Sequence, residues 1–434
     1  MSITLDASTA LPGDRFEHVD QIQRPIPSAQ DEKRIKRKKK SPANFRLNKL
    51  LVKADNTDDV LAVVDDNIQD FNIVNIGTAL YRLALVGGGL SPSSRDSLRD
   101  DPRLGCLIAE IVETLEGDSV SETLQQVVLA PKELSNIIWA ATKLGLSDDV
   151  LFEAVASHVV RHVDHFDSVN LSLTLWGFAK MNQNAPAMFA AAASRVIALL
   201  SEFEPHRICN TVWAYAKTGN TNLELFRLIA EESIRKMHRF NHSNESMLLY
   251  SYALGHVHAP ILFRKAMVQQ LPAIQSGEVQ DPRSLSNLLW AISELNLAAD
   301  FPRLYDIVRQ SAISNIHRYS VTHMATIASA YAKVDIRADE LFGLMASECT
   351  NRPINDPSLW PDLLVLNDAF VHFGLDSGDV RNIILRSADE AKQTDEHVRQ
   401  EKIRGFVVDL IGTSVIAAAI LVVAALVKIY FGKY

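Results

Sequence analysis

Four lysines, Lys143, Lys180, Lys217 and Lys333, close near-copies of one phrase, and Asn136 and Asn210 stand seven residues ahead of two of them. Asn287 holds the asparagine place in a further copy. Ammonium groups neutralise phosphates and amides hydrogen-bond base edges, so a repeated row of both suits a single nucleic-acid strand. Residues at i, i+4 and i+7 share one helix face. Asn136, Ala140 and Lys143 make such a stripe, repeated by Leu173, Gly177, Lys180, by Asn210, Ala214, Lys217 and by Thr326, Ala330, Lys333. Two copies break it, with Leu254 and Glu294 in the lysine place. A lysine in a helix's last turn also complements the macrodipole with no ligand, so the stripe alone leaves both readings open.

Other residues with chemical potential carry less. His158, His162 and His165 fall on one helix face beside Asp164, a spacing that can ligate zinc. No Glu follows His158 to make a hydrolytic HExxH pair and no cysteine is near in sequence, so a solvated histidine face is expected. Cys106, Cys209 and Cys349 are too scattered for a disulfide framework or a zinc pattern, and read as buried thiols in a reducing compartment. The glycine run Gly87–Gly89 has no Lys-Ser/Thr pair after it and reads as a helix end and loop. No Walker loop, kinase loop or GxSxG elbow is present, so no catalytic activity and no cofactor are expected.

The element that must position the stripe is the phrase itself. It reads LSNIIWAATKLGL from Leu134, LSLTLWGFAKMNQ from Leu171, ICNTVWAYAKTGN from Ile208 and LSNLLWAISELNL from Leu285. Weaker copies start at Glu245, Met324 and Leu363, with an echo at Ile76, and starts from Leu134 onward are 37 to 40 residues apart. That period marks a helical-repeat array. Pro131, Ser168, Pro205 and Pro282 open a first helix, Gly145, Asn182, Gly219 or Gly255 breaks it, and a second helix carries Phe152, Phe189, Phe226, Phe263, Tyr305 and Phe342. The expected fold is all-α, a right-handed α-solenoid of about seven to eight two-helix repeats. Small residues such as Ala140 and Gly177 let neighbouring helices approach. Trp139, Trp176, Trp213 and Trp290 read as packing anchors rather than exposed stacking platforms.

Around the array of residues 131–389, four further regions are expected: a disordered tail (1–55), a divergent helical cap (56–130), a juxtamembrane segment (390–409) and a transmembrane helix (410–431). The tail carries the basic run Lys33–Lys40, able to contact RNA or anionic lipid. Asp6, Asp14, Glu17 and Asp20 argue against a cleaved mitochondrial presequence, and no secretory h-region is seen. From Leu410 to Val427 eighteen residues carry no charge, which at 1.5 Å per residue approaches the ~30 Å hydrocarbon core. This reads as a single-pass C-terminal anchor, its orientation undecided by Lys402, Arg404, Lys428 and Lys433. The net charge of −8 gives the whole molecule no general attraction to nucleic acid, so any such contact must be local.

The phrase, with its aromatic, small residue and Ala-Lys ending, resembles the first-helix consensus of octotricopeptide repeats and the helical repeats of FAST-kinase-like and RAP-domain proteins. The resemblance covers residues 131–389. It implies an α-solenoid that binds organellar transcripts or ribosomal RNA in a mitochondrion or plastid and acts in processing, stability or translation. By that resemblance the RNA contacts are Asn136, Lys143, Lys180, Asn210, Lys217, Asn287 and Lys333. No RAP-like module follows the array. The alternative reading is a tail-anchored scaffold whose groove grips a protein partner.

Overall fold

The structure is a computed structural model that describes residues 42–117, 130–352 and 359–375, with 378 and 380–382. Every regular element among the described residues is an α-helix or a short 3-10 turn. They are α1 (Pro42–Lys53), α2 (Thr57–Asn67), α3 (Ile73–Val86), α4 (Pro92–Arg99), α5 (Pro102–Gly117), α6 (Pro131–Leu144), α7 (Asp149–His162), α8 (Ser168–Lys180), α9 (Pro186–Leu199), α10 (Pro205–Lys217), α11 (Leu223–Lys236), α12 (His242–Leu254), α13 (Pro260–Gln275), α14 (Pro282–Glu294), α15 (Pro302–Asn315), α16 (Val321–Lys333), α17 (Asp339–Thr350) and α18 (Trp360–His372).

They stack in two layers. One runs α1, α3, α6, α8, α10, α12, α14, α16, α18 and the other α2, α5, α7, α9, α11, α13, α15, α17, each helix touching the next in its own layer. This is the expected helical array, and it reaches further toward the N-terminus than the phrase does. Helices of the first layer pack on their neighbours over more of their length than those of the second. Closer packing in one layer bends a two-layer stack toward that layer, which puts the phrase helices on its inner, groove side.

Local chemistry explains the boundaries. Phrase helices start where Pro or a cap residue allows: Asp167 accepts from Asn170 N–H at 2.8 Å and Asp281 from Ser284 N–H at 2.9 Å. Each ends in a left-handed residue eleven places after the phrase start: Gly145, Asn182, Gly219, His256, Asn296, Asp335 and Gly374, with φ between 53° and 70°. Behind it a 6→1 bond closes a Schellman motif, as from Leu146 N–H to Ala141 O at 2.9 Å and Val257 N–H to Tyr252 O at 2.9 Å. Gly255, read from the sequence as the breaker, keeps φ −84°; the left-handed turn falls on His256 instead, because the register is set by the repeat and not by the nearest glycine.

The core is a string of edge-on aromatic pairs joining the second helix of one repeat to the first helix of the next. Ring centroids are 4.9 Å apart for Phe152 and Phe178, 5.1 Å for Phe189 and Tyr215, and 5.2 Å for Phe226 and Tyr252. The tyrosine hydroxyls are satisfied by backbone: Tyr215 donates to Phe189 O at 2.8 Å and Tyr252 to Phe226 O at 2.6 Å. After most second-layer helices a 3-10 turn tucks an aromatic inward, as at Phe166, Phe203 and Tyr319.

Several sequence expectations need correction or delimiting here. The unstructured tail does not run to residue 55: α1 is helical from Pro42 and buries Leu47 and Leu51, an apolar pair at i, i+4 that the surrounding lysines obscure. His158 does not belong to a solvated face; it is fully buried, 4.5 Å ring to ring from His162, and no group of three His, Cys, Asp or Glu residues among the described residues is placed to hold a metal. Cys209 and Cys349 are buried but Cys106 is exposed. The basic run Lys33–Lys40, segment 390–409 and the apolar segment 410–431 lie outside the described residues. No helix among the described residues is long and apolar enough to cross a membrane.

Candidate functional site

The groove face of each phrase helix is a four-place stripe. In α6 it is Lys132, Asn136, Trp139 and Lys143, spaced four, three and four apart; the end residues are exposed and the middle two half-buried. The same places hold Val169, Leu173, Trp176, Lys180 in α8; His206, Asn210, Trp213, Lys217 in α10; and Arg283, Asn287, Trp290, Glu294 in α14. The sequence reading gave Ala140 both to this face and to the close approach of helices; the structure keeps only the second, and the indoles read as packing anchors are half-buried. Ala140, Ala214, Ala291 and Ala330 are buried, because that place points straight at the neighbouring phrase helix. Gly177 shows how close that approach is: a Cβ there would collide with Ile138 Cγ2.

One position earlier, about 100° round the helix, each indole lies on the rim. Trp139, Trp213 and Trp290 rest one part against the core, as packing anchors do, and leave the rest open to the groove. The phrase aromatics touch at two steps of the array, with ring centroids 5.0 Å apart for Tyr81 and Trp139 and 4.9 Å for Tyr250 and Trp290. The aromatic ladder was legible as a repeat of Trp and Tyr, but its exposure was not.

The electrostatics divide the stripe. Lys143, Lys180 and Lys217 are exposed and enter no ion pair among the described residues; Lys143 Nζ stands 5.7 Å from the Trp139 ring centre. Lys333 differs. Its Nζ is 2.7 Å from Glu294 Oε2 of the preceding phrase helix, so its charge is already answered. His372 pairs with Asp335 at 3.1 Å in the next step. The basic row therefore covers the first three repeats, the middle carries Met247, Tyr250 and Leu254, and further on Lys333 is neutralised by Glu294.

Asn136, Asn210 and Asn287 make no side-chain hydrogen bond among the described residues. Three threonines of the phrase helices are satisfied locally: Thr142 Oγ1 donates to Ile138 O at 2.8 Å, Thr174 to Asn170 O at 2.8 Å and Thr326 to Thr322 O at 2.7 Å. The amides stand ready for an outside partner.

Fold and groove together define a helical-repeat protein whose concave face offers aromatic, amide and ammonium groups in register. Residues 110–300 match the family model of the RNA-editing substrate-binding complex 6 protein. That span holds all four phrase tryptophans, the three asparagines and Lys143, Lys180 and Lys217, and it stops short of Lys333. The matched description is not the octotricopeptide or RAP-protein family that the phrase resembles. A comparison with curated proteins finds no match.

Proposed function

We propose that this chain is a non-catalytic helical-repeat protein that holds single-stranded RNA in its concave groove and serves in RNA processing, as the description of the matched family suggests. The observation that carries the reading is the overlap of half-open indoles with unpaired lysines on one face of α6, α8 and α10. Indole faces accept any base by stacking and lysines track phosphates, the two components of sequence-tolerant single-strand binding. An unpaired strand suits this face because its splayed bases leave their own faces free for stacking. The resemblance further supports an organellar setting, a mitochondrion or plastid, and the apolar sequence 410–431 would tie the array to a membrane there. Carbonate extraction of the full-length protein from membranes tests that tether: release into the soluble fraction would remove it from the proposal.

The test of RNA binding is the triple substitution Lys143→Glu, Lys180→Glu, Lys217→Glu. All three side chains are exposed, so helix content and melting should stay as in wild type. Retention of single-stranded RNA should vanish, and the salt dependence of wild-type binding should show a slope of about −2 from three contacted phosphates at ~0.7 each. Wild-type protein that retains no RNA after crosslinking in cells overturns the reading. A protein ligand along Met247, Tyr250 and Leu254, which make the middle of the groove free of charge, would then be the better account.

A further inference from the structure

The groove is not uniform from one repeat to the next. Counting from Leu134, the first, third and fifth repeats carry a basic residue or histidine, an asparagine and a tryptophan on one helix face: Lys132, Asn136, Trp139; His206, Asn210, Trp213; Arg283, Asn287, Trp290. The second and fourth carry Val169, Leu173, Trp176 and Ser243, Met247, Tyr250. Two stripe positions thus switch together while the aromatic stays. Packing does not demand the switch, since each of the five repeats offers the same half-buried place to Asn, Leu, Asn, Met and Asn in turn.

The asparagines also stand where a helix gains nothing from them. Asparagine is a poor helix former because its amide competes for backbone groups, and these three make no such local bond. Each amide sits one turn before an open indole, on the same face. A base lying against that indole would turn its edge to the amide. The amide's carbonyl and NH2 match adenine's N6 amino group and N7 as a bidentate pair, and an unpaired strand leaves that edge free. The leading Lys132 or Arg283 then faces the adjoining phosphate. At Trp176 and Tyr250 the ring remains but no amide accompanies it, so a base is held there without being read.

Resting on the RNA-binding reading above, we propose that the groove reads sequence with a two-repeat period: Asn136, Asn210 and Asn287 each select one base, adenine foremost, and the repeats between them bind any base.

The experiment uses the full chain and a randomised single-stranded RNA pool, with the bound fraction sequenced. Three biased positions are expected, each separated from the next by unbiased sequence. Asn210→Leu should erase the central bias and weaken binding of the enriched sequence about tenfold relative to the unselected pool, or ~1.4 kcal/mol. Leu173→Asn should add a new biased position between the first two; this surface change decides the matter even if Asn210→Leu perturbs folding. Bias at consecutive positions, or a pattern that neither variant moves, overturns the proposal. RNA retained with no bias also overturns it and leaves the binding reading standing, whereas no retained RNA removes both.

Discussion

At the scale of single residues, two departures from the phrase, Gly177 and Glu245, have definable consequences. Gly177 occupies the place of Ala140 and Ala214, where the phrase helices α6 and α8 approach most closely. An added Cβ would run into Ile138 and come within 3.2 Å of Thr142 Oγ1. Overpacking there should outweigh the gain in helix propensity, so Gly177→Ala is expected to destabilise the array by about 1–2 kcal/mol in urea titrations. Glu245 is the reverse case, a carboxyl in the apolar place held by Leu134, Leu171 and Ile208. It is fully buried; Gln270 Nε2 donates to it at 2.8 Å, His242 Nδ1 lies 3.5 Å away, and Glu278 faces the other side of that imidazole at 3.7 Å. Burial pushes its carboxyl above the usual glutamate range, and Gln270 and His242 offset this only partly. A raised folded value means the stabilising form is the protonated one: its contribution is complete below the ordinary glutamate range and is lost as pH rises through the raised value. Glu245→Gln keeps the hydrogen bond without the charge. It should raise stability near neutrality by about 1 kcal/mol, with the advantage gone in acid, as melts at the two pH values will show. An equal gain at both would point to packing rather than charge.

At the scale of the element, helix ends do most of the positioning. The seven left-handed caps hold the turn between first and second helices at one register, and this is what keeps every stripe facing the same groove. Glycine, asparagine and aspartate tolerate that conformation; His256, at φ 53°, does so least well. Its ring is exposed and only 3.9 Å from Glu294 Oε1, a contact of little worth in water. His256→Gly should therefore stabilise the protein by about 0.5–1 kcal/mol, losing only that weak contact with Glu294. A fall in melting temperature would show that the imidazole contributes more than its contacts suggest. The second-layer helices are tied across repeats from their own ends: Arg195 Nε donates to Phe166 O at 3.0 Å, and Lys236 Nζ to Ser201 O at 2.7 Å and to Phe203 O at 2.9 Å. Such bonds reach the carbonyls that close the preceding helix, so each repeat caps its neighbour.

Across the whole molecule the groove has a direction. Its basic end spans α6 to α10, and from α14 onward the same row is closed by Glu294 with Lys333 and Asp335 with His372. A phosphate chain should therefore bind the first three repeats most strongly. Lys333→Ala is expected to leave RNA affinity within about twofold, because its charge is already paired. Glu294→Ala frees that lysine and should strengthen binding and steepen its salt dependence by one phosphate, about 0.7 in the logarithmic slope. Anisotropy titrations at several salt concentrations measure both; a large loss with Lys333→Ala would place the strand's path further along the array than its charges indicate.

The sequence determined the period, the two-helix unit, the helix starts at Pro131, Ser168, Pro205 and Pro282, and the asparagines and lysines of the stripe, because each of these is fixed by chain spacing and local backbone chemistry. It left Ala140 with two places, on the outward stripe and at the close approach of neighbouring helices. Ala140 and Trp139 are adjacent in sequence, and only the packing of α6 between α3 and α8 turned the alanine inward and left the indole half in the groove. The same holds for Lys217 and Lys333, identical in the phrase. One is free and the other answered by Glu294 from a neighbouring helix, a pairing that no spacing within a repeat could reveal because it forms between repeats.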